Sequence, residues 1–143
     1  DMKTNGGLVR RSDLEAYRTQ RNAPLTGTYR DFQVTTNHPP GGGIMLLEML
    51  NALENFDLRG LGHNSAEYIR VVAEAMKAAT RDKDLHVGDP AFVDVPVGRL
   101  ASKEYGAELA AAIRRGEKAS VARFNPGLPS KDTTQATIVD AEG

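Results

Sequence analysis

Pro39-Pro40-Gly41-Gly42-Gly43-Ile44-Met45-Leu46-Leu47-Glu48-Met49-Leu50-Asn51 is the stretch on which the fold turns. Two prolines remove backbone donors and three glycines carry maximal backbone entropy, so positions 38–43 are irregular. A helix is expected over 44–56. Within it Glu48, Asn51 and Asn55 recur at i, i+3 and i+7, which leaves Ile44, Leu46, Leu47, Met49, Leu50 and Leu53 over most of the circumference. A helix of that pattern is buried on more than one side.

Toward the N-terminus, Leu25 to Thr36 mixes β-branched and aromatic residues around a central Arg30-Asp31, which predicts two short strands joined as a hairpin. Pro24 breaks any helix before it. Ser12-Asp13-Leu14-Glu15 has the spacing of a capping box and predicts a short helix over 12–20. Toward the C-terminus, Gly60 and Gly62 punctuate the chain. Asn64, with Glu67 three residues later, restarts a helix that runs to about Arg81. Its apolar stripe is Ile69, Val72, Ala73 and Met76; Glu67, Arg70, Glu74, Lys77 and Arg81 form a charged stripe expected to face solvent. Gly88-Asp89-Pro90 reads as a turn and Phe92 to Pro96 as extended chain. Ser102 caps a fourth helix over 102–115 that ends at Gly116. Residues 126–132 read as an exposed connector and 133–140 as a strand whose partner is not visible in the sequence. The expected fold class is thus α+β and helix-rich, about four helices with a β-hairpin and a terminal strand.

Composition narrows the function. The 143 residues suit one domain, and 18 Lys plus Arg against 19 Asp plus Glu leave a net charge of −1. A sequence pI near 6.3 offers no field for phosphate backbones or anionic lipids, so no nucleic-acid partner is expected. Cysteine is absent, which excludes disulfides, thiolate zinc sites and cysteine nucleophiles. No apolar run approaches the roughly 18–20 residues needed to span a bilayer. The chain begins Asp1-Met2-Lys3 and stops at Glu142-Gly143, and it reads as an excerpt of a longer protein. No repeat period interrupts it.

Several blocks in register then carry a resemblance. Gly6-Gly7-Leu8 with Asp13-Leu14-Glu15-Ala16-Tyr17 comes first, followed by Pro39-Pro40 leading through Gly42-Gly43 into Leu47-x-Met49-Leu50-Asn51. Leu61 to Tyr68, Ala73-Glu74-Ala75-Met76-Lys77, Gly88 to Pro96 and Leu100 to Tyr105 continue in the same order. Together they resemble the gamma-glutamyltranspeptidase family over nearly the whole chain. The resemblance implies an N-terminal nucleophile hydrolase of αββα architecture, made as a precursor that cuts itself into a large and a small subunit. The family's junction, Thr-Thr-His-x-Ser-Val-Val-Asp, is matched by Thr133-Thr134-Gln135-Ala136-Thr137-Ile138-Val139-Asp140. Thr133 thereby takes the place of the catalytic nucleophile, Asp132–Thr133 that of the scissile bond, and residues 1–132 and 133–143 fall to the large and small subunits. Gln135 and Thr137 depart from the family's His and Ser, which bears on the exact activity more than on the self-cleaving class.

The chemistry has a physical reason. A threonine hydroxyl is a weak nucleophile, and a chain-terminal threonine carries its own base, the α-amine, on the adjacent carbon. At an α-amino pKa of about 7.7–8.0 a tenth or more of that amine is neutral near pH 7. Before cleavage the same nitrogen is an amide, so an uncut chain is silent. The resemblance implies attack on a γ-glutamyl amide such as glutathione, a γ-glutamyl ester, and transfer to water or an amine. It implies no metal and no organic cofactor. The family's substrate-gripping arginine lies upstream, and its oxyanion glycines and γ-glutamyl-binding serines lie downstream. The partners are therefore the remaining segments of the precursor and a small γ-glutamyl substrate, and the isolated chain is expected to be inactive. It is also expected to self-associate through helix 44–56 or the strand at 134–140. The parent is periplasmic or secreted if it carries a leader, and cytoplasmic otherwise.

Other readings stand beside this one. An acylase of the same superfamily with another amide substrate, resembling a cephalosporin acylase, is one; a helical module inert by itself is another. Without the family context Thr133-Thr134 would be ordinary strand residues. His38, His63 and His86 lack ligand spacing and read as surface or turn residues. Gly41-Gly42-Gly43 lacks the lysine of a phosphate loop and reads as a close-packed loop, while Asp89 and Asp94 read as turn-capping and solvated acids.

Overall fold

A computed structural model describes residues 2–121. The expected strand at 133–140, the connector at 126–132, and Asp132 and Thr133 lie outside the described residues. Helix α2, Gly43–Leu53, occupies the middle of the fold. Packed against it are the hairpin β1, Leu25–Tyr29, and β2, Phe32–Thr36, and the helices α3, Ala66–His86, α4, Val97–Leu100, and α5, Lys103–Arg114. Ile44, Leu47, Val71, Ala75, Leu109 and Ile113 are the heart of the core. Their α+β character is as expected.

The hairpin follows the expectation closely. Its antiparallel register pairs Leu25 with Thr36 and Tyr29 with Phe32, leaving Arg30 and Asp31 as a two-residue loop. Arg30 takes φ +52°, the positive value such tight loops require. The Arg30 N–H and the Lys103 ammonium both reach the Glu54 carboxylate, and Lys103 also donates to the Thr28 carbonyl at 2.6 Å. One carboxylate thereby pins the hairpin to the end of α2 and the start of α5.

Local capping chemistry sets the helix ends. The Ser102 hydroxyl accepts from the Tyr105 N–H at 3.1 Å, as expected of an N-cap. Replacing Ser102 with Ala should cost about 1 kcal/mol, read as a lower denaturant midpoint at unchanged m-value. At α3 the cap is Ser65 rather than Asn64; its hydroxyl accepts from the Tyr68 N–H at 3.1 Å, and Asn64 sits just outside at φ +57°. The helix also runs past Arg81 to His86.

α1, Arg11–Ala16, starts earlier and stops sooner than 12–20. The Asp13 carboxylate, not Glu15, accepts from a cap N–H, that of Arg10 at 2.7 Å, and Glu15 instead pairs with Arg11 at 2.9 Å. Arg18 closes the helix end by donating to the Glu15 and Tyr17 carbonyls at 2.7 and 2.8 Å. Residues 2–24 bury nothing against the core. The segment 92–96, expected as extended chain, begins instead in a turn. The Asp89 carbonyl accepts from both Phe92 and Val93 N–H, which folds the chain into a turn, and α4 is an additional single turn that buries Leu100. That makes five helices among the described residues.

The largest departures concern which faces point inward. On α3 two residues of the expected apolar stripe, Ile69 and Met76, are turned outward at 54% and 52% exposed and Val72 and Ala73 are half-buried, whereas Val71, Ala75, Ala78 and Ala79 are buried. Alanines let the α3 backbone approach α2 closely, and close packing recovers dispersion contacts that longer side chains would prevent. The charged stripe is not uniformly solvated either, because Glu74 is buried on it. On α2, Glu48 and Asn51 lie in the centre of the buried arc and Leu46 is exposed. The Asn51 amide donates to the carbonyls of Ala101 and Ser102, so this buried polar group replaces the water that α4 and α5 would otherwise need there. The exposed large apolar side chains lie on residues 2–24, at Phe32 of β2, at Leu46 of α2, on the outer face of α3 and at Phe92 and Val93.

Candidate functional site

The expected nucleophile, Thr133, and the bond Asp132–Thr133 lie outside the described residues, so the site is approached through the chain leading toward them. α5 ends in a left-handed cap: Gly116 adopts φ +79°, its N–H donates to the Ile113 carbonyl, and the Glu117 N–H donates to that of Ala112. This double bond pattern satisfies two orphan carbonyls and turns the chain back. The returning segment lies along α3. The Glu74 carboxylate accepts from the Ala119 N–H at 3.0 Å and from the Lys77 ammonium at 2.8 Å, and Val121 is buried beyond it. Arg70, held by Glu67, donates to the Ile113 carbonyl at 3.0 Å. Burial raises the Glu74 pKa, but the hydrogen bonds from Lys77 and the Ala119 N–H outweigh it and hold the group below its ordinary value. A charged Glu74 is thus the clamp that directs residues 117–121.

A second polar assembly lies inside the fold. Glu48 on α2, Arg81 and Asp82 on α3 and Tyr105 on α5 meet there, with the Tyr105 hydroxyl donating to Asp82 and the Arg81 guanidinium donating to Asp82 at 2.7 Å. Arg99 of α4 stacks 4.6 Å over the Tyr105 ring. Sequence reasoning did not find this group. Its signal was present in polar residues three apart, Glu48 and Asn51, on a helix otherwise apolar around its circumference.

The remaining candidates disperse. His38 and Asp94 line one hollow of about 460 Å³ between the Pro39 loop and the turn at 90–97, but neither a hydrogen bond nor an ion pair joins them. His63 meets the Tyr68 ring edge-on at 5.8 Å, and His86 lies exposed in the last turn of α3. Asp89 accepts from the Ala91 N–H at 2.9 Å, the turn-capping role expected of it. Gly43 is close-packed as read: a Cβ there would fall 2.3 Å from the Asn37 carbonyl oxygen, and its N–H is already taken by the Asn37 side chain at 2.9 Å. The start of α2 therefore has no Gly43 N–H to offer an anion.

The frame of hairpin, central helix and returning segment matches a known family along its whole length. The family model described as Gamma-glutamyltranspeptidase covers residues 1–143. This chain belongs to the gamma-glutamyltranspeptidase family. Among its relatives are the glutathione hydrolase proenzyme of Escherichia coli, 38% identical over 148 residues, and the acylase ACY 1 proenzyme of Pseudomonas sp. strain SE83, 39% identical over 143 residues. These alignments take in 100% and 99% of this chain and 26% of each relative, so the chain spans about a quarter of the curated relatives' length. The structure of Helicobacter pylori gamma-glutamyltranspeptidase superposes with a TM-score of 0.75 at 34% identity, over 88% of this chain and 38% of that one. Cephalosporin acylase from Bacillus halodurans superposes with a TM-score of 0.69 at 30% identity, over 77% of this chain and 20% of that one. A gamma-glutamyltranspeptidase and a cephalosporin acylase thus share the fold described above. No helix among the described residues is long and apolar enough to cross a membrane.

Proposed function

We propose that the protein containing this chain is a self-activating γ-glutamyl amide hydrolase and transferase whose nucleophile is Thr133. The observation that carries the reading is the family match, which spans residues 1–143 and so takes in Asp132-Thr133-Thr134, in a family whose relatives are proenzymes by name. On this reading residues 1–132 close the large subunit and 133–143 open the small one. The Thr133 hydroxyl attacks the amide carbonyl while the new α-amine takes its proton. The amine of the leaving group departs with that proton, and the resulting ester is passed to water or to an amino-acid amine. The Glu74 clamp supports the reading in one respect: it fixes the path of residues 117–121, twelve positions before the junction. The remaining segments of the precursor are the partners that complete the site, and the isolated chain is inactive without them.

The relationship to acylase ACY 1 and to a cephalosporin acylase keeps a second substrate class in view. The two are separated by kcat/KM of the full-length protein on a γ-glutamyl anilide and on the matching glutaryl anilide, which lacks the α-ammonium. A site built to pair that ammonium rejects the analogue because its own polar groups are left unmatched. The expected preference for the γ-glutamyl substrate is about 10²-fold or more. A preference for the glutaryl compound would replace this reading with the acylase one.

A further inference from the structure

Two carboxylic acids meet in the core. Glu48 lies on the buried arc of α2 and Asp82 on the facing side of α3; they are 1% and 3% exposed, and their carboxyl groups are in hydrogen-bond contact. Two carboxylates have no hydrogen between them, so the contact requires a proton on the pair.

Counting donors shows where that proton sits. Asp82 Oδ1 accepts from Arg81 Nε at 2.7 Å and Oδ2 accepts from the Tyr105 hydroxyl, which itself lies 3.4 Å from Arg81 Nη2. Asp82 is therefore supplied as an anion. Glu48 has no comparable supply: its Oε1 is fully buried and accepts from nothing. An ionised Glu48 would bury a bare charge beside a second negative charge, whereas a neutral one satisfies itself by donating to Asp82.

We infer that Glu48 is carried in the folded protein as a neutral acid that donates to Asp82, and that its proton is released when α2 separates from α3, so that the packing of these helices weakens as pH rises from mildly acidic to mildly alkaline. Burial is the largest influence and, with the neighbouring Asp82 charge, pushes Glu48 up to about 8, Arg81 opposing. Burial also acts to raise Asp82, but its hydrogen bonds from Arg81, Tyr105 and Glu48 outweigh this and hold it below its ordinary value. Tyr105 is pushed up to about 12 by burial and by Asp82, so it stays a donor throughout. Arg99 of α4 stacks over the Tyr105 ring, and the charged groups of the hairpin side, Arg30 and Lys103 with Glu54, gather at the C-terminal end of α2.

The sign follows from proton counting. In an opened state Glu48 ionises at its ordinary 4.5, so between there and about 8 opening releases a proton. The stabilisation is complete below the lower value and lost as pH passes through the upper one, the opening constant rising by up to about tenfold per pH unit between them. Hydrogen-exchange protection of α2 and α3 amides, corrected for intrinsic exchange and measured on the intact protein at pH 5.5 and 7.5, reads this directly. Wild-type protection should fall by up to about 100-fold, while Glu48→Gln, which keeps the shape and cannot ionise, should change by no more than a few-fold. Parallel pH dependence in the two proteins would overturn the inference. Infrared spectroscopy gives a second measure that needs no variant to fold: a protonated-carboxyl band should persist in the wild type at pH 7, and a spectrum without it would equally overturn the inference.

Discussion

Thr133→Ala in the full-length precursor should give a single uncut polypeptide with no γ-glutamyl transfer, a loss of at least about 10³-fold in kcat/KM. On the proposed mechanism the Thr133 hydroxyl attacks the Asp132 carbonyl, the acyl group moves from nitrogen to oxygen, and water releases the two pieces, so one oxygen would serve maturation and catalysis alike. Alanine removes that oxygen. Thr133→Ser keeps it and should still cleave, at an altered rate, because only a methyl group is lost. Substitution of Thr134 should leave the cut in place, since its nitrogen never becomes terminal. Mass spectrometry of the smaller fragment decides the point: an N-terminus at any residue other than Thr133 would remove the nucleophile assignment and the chemistry built on it.

Gly106→Val should destabilise the fold by about 3 kcal/mol or more. A Cβ on Gly106 would stand 2.6 Å from both the carbonyl carbon and the Cβ of Asn51, and 2.8 Å from its carbonyl oxygen. Two of those atoms are backbone, so α5 must withdraw from α2 rather than one flexible side chain yield. Withdrawal would also stretch the bonds from the Asn51 amide to the Ala101 and Ser102 carbonyls. Gly106→Ala meets the same clash, partly offset by the roughly 1 kcal/mol that alanine gains over glycine inside a helix. Gly98→Ala in α4, with nothing within 4 Å of the added carbon, is the control and should fall within about 0.5 kcal/mol of wild type. Equilibrium denaturation checks the set; a Gly106→Val midpoint equal to that of Gly98→Ala would show that the helix crossing is not close-packed.

Those two positions mark different kinds of legibility. Thr133 is proposed through the family resemblance, without which Thr133-Thr134 reads as ordinary strand residues; the chemistry proposed for it uses only a hydroxyl and, after a cut, a free amine on the same residue. The hairpin turn at Arg30-Asp31, the Ser102 cap and the Gly116 stop were readable in the residue types themselves. Each is settled by hydrogen bonds among residues a few positions apart, and the donors and acceptors involved are visible as residue types.

The closeness imposed by Gly106, the outward turn of Ile69 and Met76, and the inward turn of Glu48, Asn51 and Glu74 were not readable in this way. Periodicity ranks faces by hydrophobicity, which favours the stripe with the largest apolar side chains. Tertiary packing selected the alanine stripe of α3 instead, because small residues let backbones approach, and it drew in polar groups for which partners were waiting on distant elements: Asp82 for Glu48, the Ala101 carbonyl for Asn51, the Ala119 N–H for Glu74. By itself the sequence determined most of the element types and the turns, and Thr133 is proposed only through the family resemblance. The tertiary structure decided which faces are interior, since the cost of burying a carboxyl or an amide depends on a partner 34 to 50 positions away in the chain, and no local pattern records that partner.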